Sequence, residues 1–481
     1  MHYTVHHWID GKRHENNGRE LAIFQPDIGE QIGILHVADK NIVDLAVQSS
    51  QTAYLTWSKT TPVERAQLLF KFKAMLDDNI HALATTVSRE HGKTIDEAIG
   101  SVKRGIEVVD FACGIPYLLQ GKHAANVANH IDSYALQQSL GVCVGITPFN
   151  FPAMIPLWMF TMAIACGNTF VLKPSEKDPS VALQLADIFQ QAGLPKGVLN
   201  IVQGDSETVD HLINHKAVKA VSFVGSSAIA ESIYHKASAQ NKRVQAFGGA
   251  KNHCVVMPDA DIEKAAESIV TAAYGSAGER CMAISAVVAV GDTTGDKLIA
   301  AMIKHINKIN VGKSSDKTTS MGPVVTLAHL ERVKSYIEIG KKEGATLAVD
   351  GTQCKIPAEK GYYLAPYLFD DVKQSMRIYR EEIFGPVLVM LRVATLNEAI
   401  KLINEHDYAN GSAIFTKDGA NAYQFSREVQ VGMIGINLAV PIPAAYVGFG
   451  GWKQSCFADL GMYGKDAIRF YTQRKKIMER W

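Results

Sequence analysis

The chain has 481 residues, 47% hydrophobic and 20% charged, and its 49 basic residues balance 48 acidic ones for a formal net charge of +1. At roughly 150 residues per domain this allows two or three domains with sizeable cores. Ordinary globular composition excludes intrinsic disorder and fibrous repeats, and the even charge offers neither a basic face for nucleic acid nor an acidic tail.

The N-terminal residues, MHYTVHHWIDGKRHE, lack the apolar stretch of a secretory signal and the Arg/Ser-rich look of a transit peptide. The first forty residues alternate short β-rich runs with turns, as in Leu21-Ala-Ile-Phe-Gln-Pro-Asp. Helical periodicity follows over Ile42 to Trp57 and Pro62 to Glu90, with Pro62 suited to a first helical turn. A further helix is expected from Thr94 to about Leu119, carrying Arg104.

From Ser133 to Leu172 no charged residue occurs, a length that could in principle span a bilayer. Pro148, Pro152 and Pro156 interrupt it, and Asn150 and Asn168 would lack partners in lipid, so a buried strand–loop–helix–strand passage is the better reading. Strands are expected over Tyr134 to Val142, Gly141 to Thr147, Thr169 to Lys173, Val198 to Val202 and Val218 to Gly225. Helices from Ala153, over Val181 to Ala192 and over Ser226 to Ser238 alternate with them. The alternation resumes with the strand His253 to Met257, a helix from Asp261, the strand Ala286 to Val290 and a helix from Lys297. Strand–helix alternation at this spacing makes parallel, helix-covered α/β sheets. The stretch from Ala458 to Trp481 reads as irregular chain with a final strand over Ile468 to Gln473.

Seven cysteines, at 113, 143, 166, 254, 281, 354 and 456, form no CxxC pairs. Such dispersed thiols fit a reduced, cytoplasmic protein without a disulfide framework or a zinc site, and no metal is expected. No GxGxxG follows a strand and no GxxxxGK[ST] occurs. The nearest anion-binding candidate is Phe223-Val-Gly-Ser-Ser, where Gly225 and Ser226 join a strand to a helix N-terminus. Cys281, in Gly278-Glu-Arg-Cys-Met, is the candidate nucleophile, and the adjacent Arg280 could lower its pKa. A buried, inert thiol is the common alternative for an isolated cysteine. Asn150, in Thr147-Pro-Phe-Asn-Phe-Pro, follows a buried strand and could donate to an oxyanion, or merely satisfy its own loop. Lys173 and Glu176, at another strand end, suit a nucleotide ribose or a solvated strand end equally.

Taken together, Pro148-Phe-Asn-Phe-Pro, Lys173-Pro-Ser-Glu, Phe223-Val-Gly-Ser, Gly278-Glu-Arg-Cys and Glu381-Glu-Ile-Phe-Gly-Pro-Val resemble the aldehyde dehydrogenase superfamily in order and spacing, over essentially the whole chain. The resemblance implies two doubly wound, Rossmann-like parallel-sheet domains plus a small β oligomerisation flap. An NAD-binding domain would take residues 1–122 and 143–250, a catalytic domain 251–436, and the flap 123–142 and 458–481. It also implies Cys281 as nucleophile, with Asn150 and the Cys281 backbone N–H as oxyanion hole. Lys173 and Glu176 would hold the adenosine ribose of NAD, and Gly225 and Ser226 would lie at the pyrophosphate. Glu382 would hold the nicotinamide ribose, with Phe384 packed on the nicotinamide and Thr147 and Phe149 lining the cofactor site.

One departure bears on mechanism. Hydrolytic members carry a Glu in a Glu-Leu-Gly-Gly pattern that activates water, whereas Gln245-Ala-Phe-Gly-Gly-Ala-Lys-Asn-His has Phe247 there. A phenyl ring cannot act as a general base. Gly-Ala-Lys-Asn-His, Arg-Cys-Met-Ala and Arg104-Gly-Ile-Glu-Val-Val resemble the CoA-acylating methylmalonate-semialdehyde dehydrogenases. In that branch two arginines, matching Arg104 and Arg280, grip the substrate carboxylate, a task suited to the planar guanidinium fork. That branch usually has Asn at the Phe247 position, and its aromatic run is replaced here by Ala444-Ala-Tyr-Val-Gly-Phe-Gly-Gly-Trp. The expected activity is therefore NAD- and CoA-dependent oxidation of malonate or methylmalonate semialdehyde by a cytoplasmic homotetramer. The alternatives are a hydrolytic aldehyde dehydrogenase and a catalytically silent member with a structural role.

Overall fold

A computed structural model describes residues 3–358, 360–457 and 459–481. Met1, His2 and Ala458, the ends of two of the expected segments, lie outside the described residues, as does Glu359.

Two large sheets organise the molecule. The eight-stranded sheet runs Cys456–Phe457, Arg243–Phe247, Val218–Val224, Val142–Ile146, Thr169–Lys173, Leu199–Ile201, His7–Ile9, Lys12–His14. Its five central strands are parallel, and antiparallel strands close both edges. Side chains alternate between two cores, as a two-faced buried sheet requires. Val142, Val144 and Ile146 enter one, Cys143 and Phe170 the other. The chain leaves Val142–Ile146 toward Thr169–Lys173 on one side and returns to Val218–Val224 on the other. The crevice at the carboxyl ends of those strands is where doubly wound sheets bind ligands.

The seven-stranded sheet runs Thr346–Val349, Tyr367–Asp370, Val387–Val393, Ile284–Val290, Asn252–Val256, Gly411–Phe415, Met433–Ile436. All its pairs are parallel except the first. A third sheet joins His123–Ala128, Ile131–Ser139 and Thr472–Arg480. It stands clear of both cores, and His123–Ala128 is exposed along its whole length.

From Val142 onward the uncharged passage is interior structure, while its first residues belong to the half-buried strand Ile131–Ser139 of the third sheet. Met154–Ala165 is a helix buried at every residue, between the buried strands Val142–Ile146 and Thr169–Lys173. No helix among the described residues is long and apolar enough to cross a membrane.

Three element boundaries differ from expectation. The periodic run from Pro62 to Glu90 is two helices, Pro62–Asp78 and Ile80–His91, because Asn79 leaves helical geometry and its side chain bonds the Met75 carbonyl. The helix expected from Lys297 starts at Asp292. The terminal strand is Thr472–Arg480, while Gly464–Tyr471 is a helix. Ile468-Arg-Phe-Tyr reads as β by composition. Four of its five buried residues, 464, 467, 468 and 471, however, fall at helical spacing on one face, with Phe470 buried beside them.

Candidate active site

Cys281 follows a helix that cannot continue. The helix Ile262–Tyr274 ends at Gly275, and the next three residues turn left-handed: Ser276 (φ 49°), Ala277 (φ 52°) and Gly278 (φ 75°). Only Gly278 adopts this freely; the other two cost on the order of 1–3 kcal/mol each. A Cβ on Gly278 would also lie 2.3 Å from the Gly385 carbonyl oxygen, so the nucleophile loop packs directly on the backbone of the Glu382–Gly385 segment. The Cys281 carbonyl is clamped by Asn252 Nδ2 at 2.8 Å and Asn410 Nδ2 at 3.0 Å.

Burial, and then the nearby Glu382 carboxylate, push the Cys281 thiol up to about 12, against backbone N–H groups and Lys93, which favour the thiolate. The thiol is thus raised although Arg280 is adjacent in sequence, and the guanidinium of Arg280 turns to other partners. Nη2 donates to Glu97 Oε1 at 2.8 Å and Nε to Ser276 Oγ at 3.3 Å.

Asn150 lies just beyond Val142–Ile146, where Thr147 N–H donates to the Lys173 carbonyl. Its own carbonyl accepts from buried Lys93 Nζ at 2.6 Å. Its buried side-chain Oδ1 has no hydrogen-bond partner among the described residues, so the amide oxygen is not satisfied by its own loop. Phe247 is buried, pairs with Cys456 across a sheet edge and packs 6.4 Å from the Phe449 ring. It presents no proton acceptor.

The expected cofactor residues line the carboxyl ends of the parallel strands. Lys173 Nζ and Glu176 Oε2 are 3.0 Å apart. Burial alone would raise the Glu176 pKa, but Lys173 holds it below the usual carboxylate range. Gly225 and Ser226 lead into the 12-residue helix Ser227–Ser238, whose first N–H groups and dipole suit a pyrophosphate. Glu382 accepts from the Ala250 N–H at 2.8 Å, and a Cβ on Gly249 would meet its carboxylate at 2.6 Å. Phe384, at φ 61°, stands 5.9 Å edge-on to Phe149. Its carbonyl receives a 2.6 Å contact from His329 Nε2. These groups fit a dinucleotide: a ribose-reading Lys–Glu pair, an open helix N-terminus, a glycine cradle at a second carboxylate, and two facing aromatics.

Arg104 sits on the helix Ile95–Cys113, ion-paired to Glu107 at 2.9 Å. Arg104 and Cys281 are both within electrostatic reach of Tyr463, whose hydroxyl burial holds up. Glu97, which holds Arg280, precedes Arg104 by seven residues. That spacing puts them about 20° apart around the helix and about 10 Å along it. Arg104 is exposed on this helix, while Arg280 reaches the helix only through Glu97.

Sequence reasoning missed Lys93, Glu97, Asn252 and Asn410. Asn252 and Lys251 stood in the quoted Gly-Ala-Lys-Asn-His run, yet nothing there signals a clamp on Cys281. Lys251 donates from a buried position to the Ile378 and Glu381 carbonyls, and burial lowers its pKa to about 7.

The sequence profile of the aldehyde dehydrogenase family matches residues 13–477. The chain belongs to the aldehyde dehydrogenase family. A curated malonate-semialdehyde dehydrogenase from Pseudomonas aeruginosa is 50% identical over 99% of this chain and 96% of its own length. One from Halalkalibacterium halodurans is 47% identical over 98% of this chain and 96% of its own. Among solved structures, a methylmalonate-semialdehyde dehydrogenase from Oceanimonas doudoroffii superposes with a TM-score of 0.99 at 51% identity, covering 100% of this chain and 98% of that one. A Sinorhizobium meliloti aldehyde dehydrogenase, given that substrate by assignment only and complexed with NAD, matches with a TM-score of 0.99 at 47% identity and the same coverage.

Proposed function

We propose that this chain is an NAD-dependent, CoA-acylating dehydrogenase of malonate semialdehyde or its 2-methyl derivative. The observation that carries this reading is the buried phenyl ring of Phe247 where hydrolytic members of the family place a glutamate. Relatives named for these substrates, at about half identity over nearly full length, support it.

Cys281 Sγ would attack the aldehyde carbon, and Asn150 Nδ2 with the Cys281 N–H would take up the oxyanion. NAD, when bound, supplies the hydride acceptor. Lys173 and Glu176 would hold its adenosine ribose, Gly225 and Ser226 its pyrophosphate, and Glu382 its nicotinamide ribose, with Thr147, Phe149 and Phe384 lining the nicotinamide end. Arg104 and Arg280 would take the substrate carboxylate. Loss of that carboxylate as carbon dioxide and transfer of the acyl group from Cys281 to CoA yield acetyl- or propionyl-CoA. The two sheets and their helices fit an NAD-binding part, 1–122 with 143–250, and a catalytic part, 251–436. A small sheet with one fully exposed edge strand fits an oligomerisation flap, and hence a homotetramer. Its last strand is Thr472–Arg480. Cysteines that form no disulfide among the described residues fit a cytoplasmic enzyme.

The test is rapid mixing of enzyme, NAD and malonate semialdehyde without CoA. NADH should appear in a burst approaching about one equivalent per site, then slow, because general-base assistance worth about 10² to 10⁴ is missing. CoA should restore fast turnover. Equal steady rates with and without CoA would overturn the acylating assignment in favour of hydrolysis.

A further inference from the structure

Arg280 is held by two features that no motif for carboxylate binding contains. Of the five guanidinium N–H donors, Nε–H goes to Ser276 Oγ and one Nη2–H to Glu97 Oε1. Both lie on the side edge of the fork. The end edge, with both Nη1 hydrogens and the second Nη2 hydrogen, is left for a two-point carboxylate contact. Glu97 itself cannot swing away. Its Oε2 accepts from the Thr94 N–H, closing the capping box of Ile95–Cys113, and its Oε1 also accepts from the Ser276 N–H at 2.6 Å.

The second feature is a missing side chain. A Cβ on Gly275 would lie 2.4, 2.5 and 2.6 Å from Arg280 Nη1, Cζ and Nη2. The guanidinium therefore lies flat on the Gly275 backbone, in space any other residue would occupy. Gly275 has φ −55° and ψ 138°, ordinary geometry for an L-residue, so conformation alone does not demand glycine there. Arg280 lines a cavity of about 380 Å³ with Glu97, Glu267, Gly275, His305 and Lys308, so its guanidinium stands among both basic and acidic side chains there.

We propose that Gly275 and Glu97 are positioning residues that set the preference for carboxylated aldehydes by fixing the guanidinium of Arg280. Gly275 supplies the space and Glu97 the anchoring charge. The proposal rests on the reading that Arg280 takes the substrate carboxylate.

The experiment compares kcat/KM for malonate semialdehyde and for propanal, with NAD and CoA present, in the full-length enzyme and in Gly275→Ala, Glu97→Gln, Arg280→Met and the double variant Gly275→Ala/Arg280→Met. The ratio of the two values should fall about tenfold or more in Gly275→Ala, whose methyl group displaces the guanidinium, an effect of the size expected for one charge-assisted pair. In Glu97→Gln, whose single amide oxygen can serve Ser276 and Arg280 or the Thr94 N–H but not both, it should fall about three- to tenfold. Because Gly275 acts through Arg280, the double variant should match Arg280→Met alone. A ratio unchanged in Arg280→Met would overturn the carboxylate reading itself. A ratio that falls in Arg280→Met but holds in Gly275→Ala, or additive losses in the double variant, would overturn the role of Gly275 while leaving that reading intact. A ratio that rises in Glu97→Gln would show Glu97 competing with substrate and overturn its anchoring role. Should Gly275→Ala fail to fold, Glu97→Gln decides the proposal alone.

Discussion

Cys281 sits in a field that opposes its ionisation. Burial and Glu382 raise its pKa, while Lys93 and the N–H groups of Cys281 and Met282 pull the other way. A thiolate nucleophile must therefore be generated against the Glu382 charge. In Glu382→Gln, alkylation of Cys281 by iodoacetamide at pH 8 should run on the order of tenfold faster, since each tenfold gain in thiolate corresponds to about 1.4 kcal/mol of removed repulsion. A rate equal to or below wild type would remove Glu382 as the opposing charge. The site residues proposed from the sequence, Cys281, Asn150, Lys173, Glu176 and Glu382, share one property: each stands in a short motif at a strand end or tight loop. Lys93 and Asn410 carry no such signal. Lys93 reaches Asn150 across 57 positions and Asn410 reaches Cys281 across 129. Contacts of that range are made by the fold, and no local pattern encodes them.

Among the helices, Ile95–Cys113 couples most elements of the site. Its N-terminus is closed by Thr94 and Glu97, its middle presents Arg104, and it packs on the buried helix Met154–Ala165. Thr94 was legible as the start of this helix because Thr-x-x-Glu is a capping box. Thr94→Ala should cost about 1 kcal/mol of local stability, so the amides of Glu97 and Ala98 should exchange about fivefold faster. Unchanged exchange would show the Ser276 and Arg280 contacts sufficient to hold Glu97 without the cap. Periodicity failed where one residue decided the outcome. Asn79 stops a run that is apolar at helical spacing on both sides, and its side chain spends its donor on Met75. It failed again at Ile468-Arg-Phe-Tyr, where aromatic and β-branched composition outweighed a four-residue helical stripe packed on Met154–Ala165.

Where the two sheets meet, the molecule buries charge that the chemistry does not use. Glu279 is wholly buried and accepts from the Val325 N–H at 3.2 Å. His329 faces it at 3.5 Å and His91 at 3.9 Å, both with pKa values lowered by burial, while Lys93 and Lys177 act on it from farther off. Burial raises Glu279 from its model-compound range to about 8. A folded-state value above the unfolded one means that protonation favours the fold. The stability linked to this group is fully present below the unfolded pKa of about 4.3 and is lost as pH rises through about 8. Lys93, lowered to about 8 by burial, works in the opposite sense: the fold favours its neutral form, so its contribution rises as pH climbs through about 8 and offsets part of the loss. Glu279→Gln keeps the acceptor for Val325 and removes the titration. Its melting temperature should exceed wild type by a clearly larger margin at pH 9 than at pH 5.5, a difference on the order of a few kcal/mol by linkage. Thermal unfolding of the full-length protein at the two pH values reads this directly. Equal gaps at both, or a variant less stable at pH 9, would mean that Glu279 is ionised in the folded enzyme throughout, held by the histidines rather than opposed by burial.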